Sequence, residues 1–523
     1  MPKWMESAVF YEIYPQSFYD ANGDGIGDLE GIIQKLGFIK DLGCNALWIN
    51  PCFDSPFRDA GYDVRDYKKV APRYGTNEDL KQLFTDAHKQ GIKVLLDLVP
   101  GHTSEEHPWF QESQKSEPNE YSNRYIWTDQ WWKKVEGFGY VAGEAERESV
   151  YLINFFKCQP ALNYGFFKIA EPWQLPMDHP DCIATMNAIM DVMRFWLDAG
   201  CDGFRVDMAF SLVKNDDEKK TGTSALWRTV REMLDRDYPE AALVSEWGFP
   251  ELSIPAGFHA DFLLHSEGEG YRSLTRNYTL DCRHTIVGED KSFFKKDGKG
   301  DITVFLDEYR KHYEVCKENG GCIALISCNH DTIRPSFTLS PRELAVFYGF
   351  LFTMPGTPFL YYGDEIGMRY LNLPTKEGGY FRTGSRTPMQ WNTGKNLGFS
   401  KAPAEKLYLP VDASPDAPTV EAQEKESASL LNTVKTLLRL RRENADLQAQ
   451  PNLEILYAKK EAFPLIYCRG SLAIAVNPAD SPVSVDISPL LSSPARNIYM
   501  IGNCQLEKGW CKMEAQSFGV WKM

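Results

Sequence analysis

The chain has 523 residues, 43% of them hydrophobic and 13% aromatic, and a formal net charge of −15. That length exceeds one ordinary core, so two or three domains are expected. The acidic balance argues against a nucleic-acid or anionic-membrane partner and suits a neutral substrate.

The opening residues Met1–Glu6 run straight into an apolar segment, without the charged and apolar regions of a signal peptide. No apolar run is long enough to span a bilayer. The 12 cysteines are scattered, with no CxxC pair. That usage predicts reduced thiols in a cytoplasmic protein and no zinc site. The expected assembly is a monomer or small homo-oligomer.

In chain order, Ala8–Pro15 reads as a first strand. Asp20, Asn22 and Asp24 then place oxygen-bearing side chains at alternate positions, Asp28 follows, and intervening glycines allow tight turns. That pattern suits a hard cation, Ca²⁺ with Mg²⁺ as the alternative, and Ile26 completes the candidate set. A solvated acidic turn is the plainer reading. The EF-hand spacing is absent, because no Glu stands at the twelfth loop position.

Helical periodicity over Gly31–Leu42 precedes a strand at Asn45–Pro51, a loop with Tyr62 and Asp63, a helix at Asn77–Gln90 and a strand ending in Asp97. The alternation breaks over 103–177, an aromatic-rich stretch without sustained period, read as a subdomain inserted after the third strand and lining a cleft. It resumes with helices near Asp181–Asp198 and Ala225–Arg236 and strands ending at Asp207 and Glu246. A sixth strand is expected at Phe258–His265, a helix at Asp301–Asn319 and a seventh strand before His330 and Asp331. Helix Pro341–Phe352, a strand at Thr357–Glu365 and helix Ala428–Arg442 complete a (β/α)₈ barrel over 1–102 and 178–447. Beyond it, short alternating runs over 448–523 predict an antiparallel β-sandwich domain.

The chemistry gathers at the strand ends. Arg205 and Asp207 lie two apart, so strand alternation puts both on one side. Alone, such a pair reads as a structural ion pair. Three further apolar strands also end in an acid or lead to a histidine: at Asp97 and His102, at Glu246, and at His330 and Asp331. Neighbouring strands lie about 4.8 Å apart, so Asp207 and Glu246 are expected within about 5–5.5 Å, the spacing of a retaining glycosidase. Arg205 would keep Asp207 ionised as nucleophile, and Trp247 would shield Glu246 as general acid. Asp331 would oppose a developing oxocarbenium ion, His102 and His330 would donate to sugar hydroxyls, and Tyr62 would stack on a sugar face. Taken singly, each has a duller explanation: Asp97 a structural partner, the histidines core residues, Tyr62 packing.

Asp97–His102, Gly203–Asp207, Leu243–Glu246 and Asn329–Asp331 match in order the four signature regions of glycoside hydrolase family 13, the α-amylase family, which the chain resembles throughout. The resemblance implies Asp207 as nucleophile, Glu246 as acid/base and Asp331 as transition-state stabiliser, with Tyr62, His102, Arg205 and His330 holding the transferred glucosyl unit. Gln159–Asn163 and Arg386–Trp391 resemble the oligo-1,6-glucosidase group, which implies a metal in the Asp20–Asp28 loop. It also implies that Asp63 and Arg386 pin the terminal glucose and make cleavage exo-acting.

Three positions depart from the pattern. Gly101 replaces an Asn that ligates calcium between barrel and insertion in many amylases, so one metal is expected, in the first loop. Ala161 replaces an acid, and Met208 follows the nucleophile where the group's α-1,6 enzymes tend to carry Val. The expected activity is a retaining α-glucosidase acting on short gluco-oligosaccharides. The rival readings are a transglycosidase or isomerase of trehalose synthase or isomaltulose synthase type, and a non-catalytic sugar-binding protein on the same scaffold.

Overall fold

The computed structural model describes residues 1–128, 135, 137–263, 269–379, 382–449, 452–488 and 495–523. Eight strands close a barrel: β1 (Phe10–Ile13), β2 (Ala46–Ile49), β3 (Lys93–Leu98), β4 (Gly203–Val206), β5 (Ala242–Ser245), β6 (Ala260–Phe262), β7 (Cys322–Ile326) and β8 (Thr357–Tyr361). Each pairs in parallel with its neighbours in sequence, and β8 returns to β1. Apart from Lys93 at the edge, every strand residue is buried. Helices outside and side chains inside cover both faces, which is why these strands read as continuous apolar runs.

The helices stop where their caps stop them. Helix α1 (Leu29–Leu42) begins at Asp28, whose carboxylate accepts from Gly31 N, and ends at Gly43 with φ 107°. Its buried stripe is Leu29, Ile32, Leu36, Ile39 and Leu42, at helical spacing. Helices Asn77–Lys89 and Pro341–Thr353 each open on a capping box, at Thr76 and Ser340.

The strands are shorter than expected: β1 and β2 lose residues at both ends, and β8 and β6 stop early. β8 ends at Tyr361 and not Glu365, because Gly363 (φ 86°) turns the chain into a 3₁₀ turn at Asp364–Ile366. β6 spans only Ala260–Phe262; of the expected Phe258–His265, Leu264 and His265 lie outside the described residues.

Inside the barrel, Phe10 stacks on Phe359 at 4.2 Å, and Phe262 meets both Phe359 and Trp48, at 4.8 and 5.4 Å. This aromatic floor lies beneath the charged cluster: the Arg205 guanidinium sits 4.9 Å from the Trp48 ring centre, and Trp48 Nε1 donates to Asp97. After β3 the chain forms a short helix, Pro108–Ser113, and a small hairpin, Tyr140–Ala142 with Val150–Leu152, before re-entering the barrel at helix Pro180–Ala199.

The C-terminal part holds two antiparallel sheets. The larger has five strands: Leu453–Tyr457, Leu465–Arg469, Leu472–Asn477, Ser517–Lys522 and Arg496–Ile501, in that spatial order. Its residues alternate between two cores. Leu465 and Tyr467 join the barrel core, whereas Ile466 and Cys468 pack toward the three-stranded sheet. Tyr467 Oη meets Thr353 Oγ1 at 2.6 Å and Arg469 donates to Thr353 O, fixing sheet to barrel. Among the described residues no helix is long and apolar enough to cross a membrane.

Candidate active site

Arg205 is the hub. Its Nη1 reaches Asp97 Oδ1 at 2.9 Å and Asp207 Oδ1 at 3.0 Å, and its Nη2 reaches Glu246 Oε2 at 2.8 Å. Strand register explains the convergence: Asp97 pairs with Arg205 across β3–β4, and Val206 pairs with Ser245 across β4–β5. Asp207 and Glu246 follow directly on adjacent strand ends, and each takes one arm of the Arg205 guanidinium. Glu246 Oε2 also accepts from Met208 N at 3.0 Å. Met208 adopts φ 41°, ψ 45°, the left-handed turn that aims its N–H at the acid.

The expectation that Arg205 alone keeps Asp207 ionised is too simple. Burial and the charge of Glu246 push the Asp207 carboxyl well up, against the lowering influence of Arg205. Asp97 spends both oxygens on structure, taking Arg205 on one and Trp48 Nε1 and Tyr62 Oη on the other.

Across the pocket stands Asp331. Its Oδ1 accepts from Arg386 Nη2 at 2.7 Å and Arg382 Nη1 at 3.0 Å, and its Oδ2 faces His330 Nε2 at 3.2 Å. These three cations hold its carboxyl well below the usual range despite its partial burial. Tyr62 Oη lies 2.7 Å from His330 Nε2, and the two rings stack at 5.3 Å. His102 engages Tyr62 O through Nε2 and Asn154 Nδ2 through Nδ1, and burial lowers its pKa to about 4, so the ring is neutral. Both its nitrogens already have protein partners.

The pair expected to pin a terminal sugar is placed differently. Asp63 is fully buried and accepts from Ser55 Oγ, Arg58 N and Asp59 N, so it braces its own loop. Asp59, four residues earlier, accepts from Arg382 Nη2 and Gln159 Nε2, each at 2.8 Å. The chain Gln159–Asp59–Arg382–Asp331 therefore walls the pocket, while Arg386 lies behind it, with Nε on His330 O. Neither Asp59 nor Arg382 stood out in the sequence. The one available signal was Arg382 four residues before Arg386, with a 3₁₀ turn at Thr383–Ser385 between them.

At Gly101 a Cβ would meet Asn154 Nδ2 at 2.6 Å. Lys214 Nζ donates to Asn154 Oδ1 and Ser211 O, so a side-chain cation occupies this seam between insertion and barrel. Burial lowers its pKa to about 8.

In the Asp20–Asp28 loop the oxygens accept backbone N–H groups: Asp20 from Gly23 and Gly25, Asn22 from Asp24, Asp24 from Ile26, and Asp28 from Ala21, Asn22 and Gly31. Among the described residues no group of three or more His, Cys, Asp or Glu side chains is gathered to hold a metal. The donor chemistry of the loop, all hard oxygen, is nonetheless of the kind a hard cation takes.

Residues 12–450 match the family model for the α-amylase catalytic domain. The chain belongs to glycoside hydrolase family 13. As a family 13 enzyme it acts on glycosidic bonds, and its relatives divide by what they do with them. It is 33% identical to the trehalose synthase/amylase TreS of Mycobacterium tuberculosis, over 84% of this chain and 75% of that one. It is 30% identical to the oligo-1,6-glucosidase of Heyndrickxia coagulans, over 93% and 94% of the two chains. Among solved structures, the trehalulose synthase MutB from Pseudomonas mesoacidophila MX-45 superposes with a TM-score of 0.81 over both whole chains at 23% identity, a likeness of fold.

Proposed function

We propose that this family 13 enzyme is a retaining, exo-acting α-glucosidase of short gluco-oligosaccharides. The observation that carries the reading is the single guanidinium of Arg205 gripping both Asp207 and Glu246 at adjacent strand ends. Two carboxyls held by one guanidinium at adjacent strand ends suit double displacement, in which one attacks carbon and the other handles the proton.

In that scheme Asp207 attacks the anomeric carbon as the glycosidic C–O bond breaks, and Glu246 gives its proton to the departing oxygen. Water then attacks the same carbon, returns a proton to Glu246 and releases Asp207, so configuration is retained. The scheme requires Glu246 to carry the proton and Asp207 the charge once the glycosidic oxygen is seated. Asp331, kept ionised by His330, Arg382 and Arg386, opposes the positive charge developing on the sugar ring. Exo action is read from the Gln159–Asp59–Arg382–Asp331 chain of contacts, which would close the site beyond one sugar.

A second reading, conversion of maltose to trehalose by transfer to the released glucose, is favoured by the likeness to TreS. Both share the glycosyl-enzyme and differ in the acceptor. Incubation with maltose decides between them: free glucose supports hydrolysis, trehalose the isomerase. No turnover of maltose, isomaltose, trehalose or sucrose would defeat both.

Two further expectations belong here. Asp20, Asn22, Asp24, Asp28 and the Ile26 carbonyl would hold Ca²⁺ as a structural brace, remote from the reacting atoms. A cytoplasmic location fits a chain whose cysteines include eleven buried singly.

A further inference from the structure

Glu12 on β1 is fully buried beneath the pocket. Its Oε1 lies 2.8 Å from His330 Nδ1 and 3.2 Å from Asn50 Nδ2, while its Oε2 has no hydrogen-bond partner. A buried carboxylate oxygen left without a donor costs stability that an amide or an apolar side chain would not. Burial raises the Glu12 pKa, and His330, Asn50 and Arg205 act against that rise, so its charge depends on these neighbours.

The other side of the imidazole shows what that charge does. Nε2 faces two oxygens, Tyr62 Oη at 2.7 Å and Asp331 Oδ2 at 3.2 Å. The Tyr62 hydroxyl proton is directed to Asp97 Oδ2 at 2.9 Å, so its lone pair faces the ring. Each ring nitrogen thus has a carboxylate oxygen beside it, Glu12 at Nδ1 and Asp331 at Nε2. Asn50 Nδ2, a donor, also lies 3.1 Å from Nδ1, but it gives a proton to Glu12 Oε1. The doubly protonated imidazolium is the form that donates to both carboxylates. A neutral ring would turn a lone pair toward one of two carboxylates.

We propose that Glu12 is a positioning residue for Asp331: by holding His330 as an imidazolium it fixes the third acid in place, and loss of that proton ends activity on the alkaline side. The inference rests on the reading of Asp331 as the charge that opposes the oxocarbenium ion. The groups facing His330 are Glu12 from β1, Asn50 after β2, Tyr62 from the following loop, Asp97 from β3, Asp331 beside it, and Arg386, whose Nε binds the His330 carbonyl. The Tyr14 ring stacks on it at 6.1 Å and Trp48 meets it edge-on at 5.8 Å. Burial disfavours the charge, but Asp331 and Glu12 outweigh it and raise the His330 pKa to about 9. A raised histidine pKa means the cation persists below that value and disappears above it.

Glu12→Gln keeps the shape and an accepting oxygen but removes the charge. With glucose release from maltose as readout, the variant should stay within a few-fold of wild type near pH 6. Its alkaline limb should move down by about one pH unit or more, with kcat falling and KM little changed. In parallel, the ¹⁵N-histidine NMR signal of His330, identified by its loss in His330→Gln, should titrate well above 6.5 in the wild-type protein and lower in Glu12→Gln. Coincident alkaline limbs in two active enzymes would overturn the role of Glu12 and leave the glucosidase reading intact. If no α-glucoside is turned over, the functional reading falls, and the NMR titration still decides the protonation. A wild-type midpoint at or below the ordinary histidine value overturns the proposal without any variant.

Discussion

Arg205 lies on β4 and Asp207 just past its end, two residues on, and the guanidinium closes on the carboxylate at 3.0 Å. The same side chain also spans to Asp97 and Glu246, so one planar fork organises three acids from three strands. Lysine has one ammonium and cannot reproduce that geometry. Arg205→Lys should lower kcat by roughly 10²-fold or more while the circular dichroism spectrum is retained. Asp207→Asn should lower it by roughly 10³-fold or more. Near-normal turnover by Asp207→Asn would defeat the nucleophile assignment.

The pocket wall gives a second prediction. Arg382 links Asp59 to Asp331 through two charge-assisted hydrogen bonds, each in the strong class. Arg382→Ala should reduce kcat/KM on maltose by about 10- to 100-fold, the equivalent of losing one or two such bonds. Asp63→Asn should shift the melting temperature more than it shifts kcat/KM. If Asp63→Asn damaged catalysis and Arg382→Ala did not, the sequence-based pairing of Asp63 with Arg386 would be restored.

That contrast marks how far the sequence could be read. Asp207, Glu246 and Asp331 follow apolar runs whose burial makes them recognisable, and strand register then fixes where they meet. Asp59 and Asp63 share one loop, and no period separates a pocket acid from a bracing one. Their directions depend on backbone turns at Phe57, Ala60 and Gly61, all at positive φ, two of them at residues that rarely adopt it. Glu12 was hidden for a different reason. A charge in the middle of a first strand has no local pattern, and its partner His330 is 318 residues away. Strand ends erred where single residues decide the stop, as Gly363 does after β8.

Asp261 on β6 supports the loop that carries Glu246. One oxygen accepts from Ser245 Oγ, Trp247 N and Gly248 N, and the other from Ser253 Oγ. Burial nevertheless raises its pKa to about 6. Between about pH 4, where the unfolded carboxyl ionises, and pH 6, the folded state binds more protons. This group therefore costs stability as pH rises through that window, and the cost is constant above it. Two units correspond to about 3 kcal/mol at most. Asp261→Asn keeps the acceptor toward Trp247 and Gly248 and lets Ser253 accept instead. Urea unfolding at pH 4.5 and 6.5 should show the variant gaining on wild type at the higher pH. An identical difference at both pH values would refute the assignment.

The Asp20–Asp28 loop supplies the last test, because two explanations of its acids predict different responses. Asp20 is buried and takes Gly23 N, Gly25 N and Ser400 Oγ, so its removal would unsettle the loop with or without an ion. Asp24 is the discriminating residue. Its carboxylate accepts from Ile26 N, which an asparagine oxygen does equally well, and its backbone bond to Asn22 is untouched by the change. Asp24→Asn thus leaves the turn alone and removes one negative charge from a would-be cation site. A bound ion stabilises the fold in proportion to the logarithm of its excess over Kd, by about 2.7 kcal/mol at a hundredfold excess. The wild-type melting temperature should fall with chelator and recover with Ca²⁺, whereas Asp24→Asn should match the chelated wild type and need more Ca²⁺ to recover. If chelator leaves the wild type unchanged and Asp24→Asn melts with it at every Ca²⁺ concentration, the loop is a hydrogen-bonded turn and holds no metal.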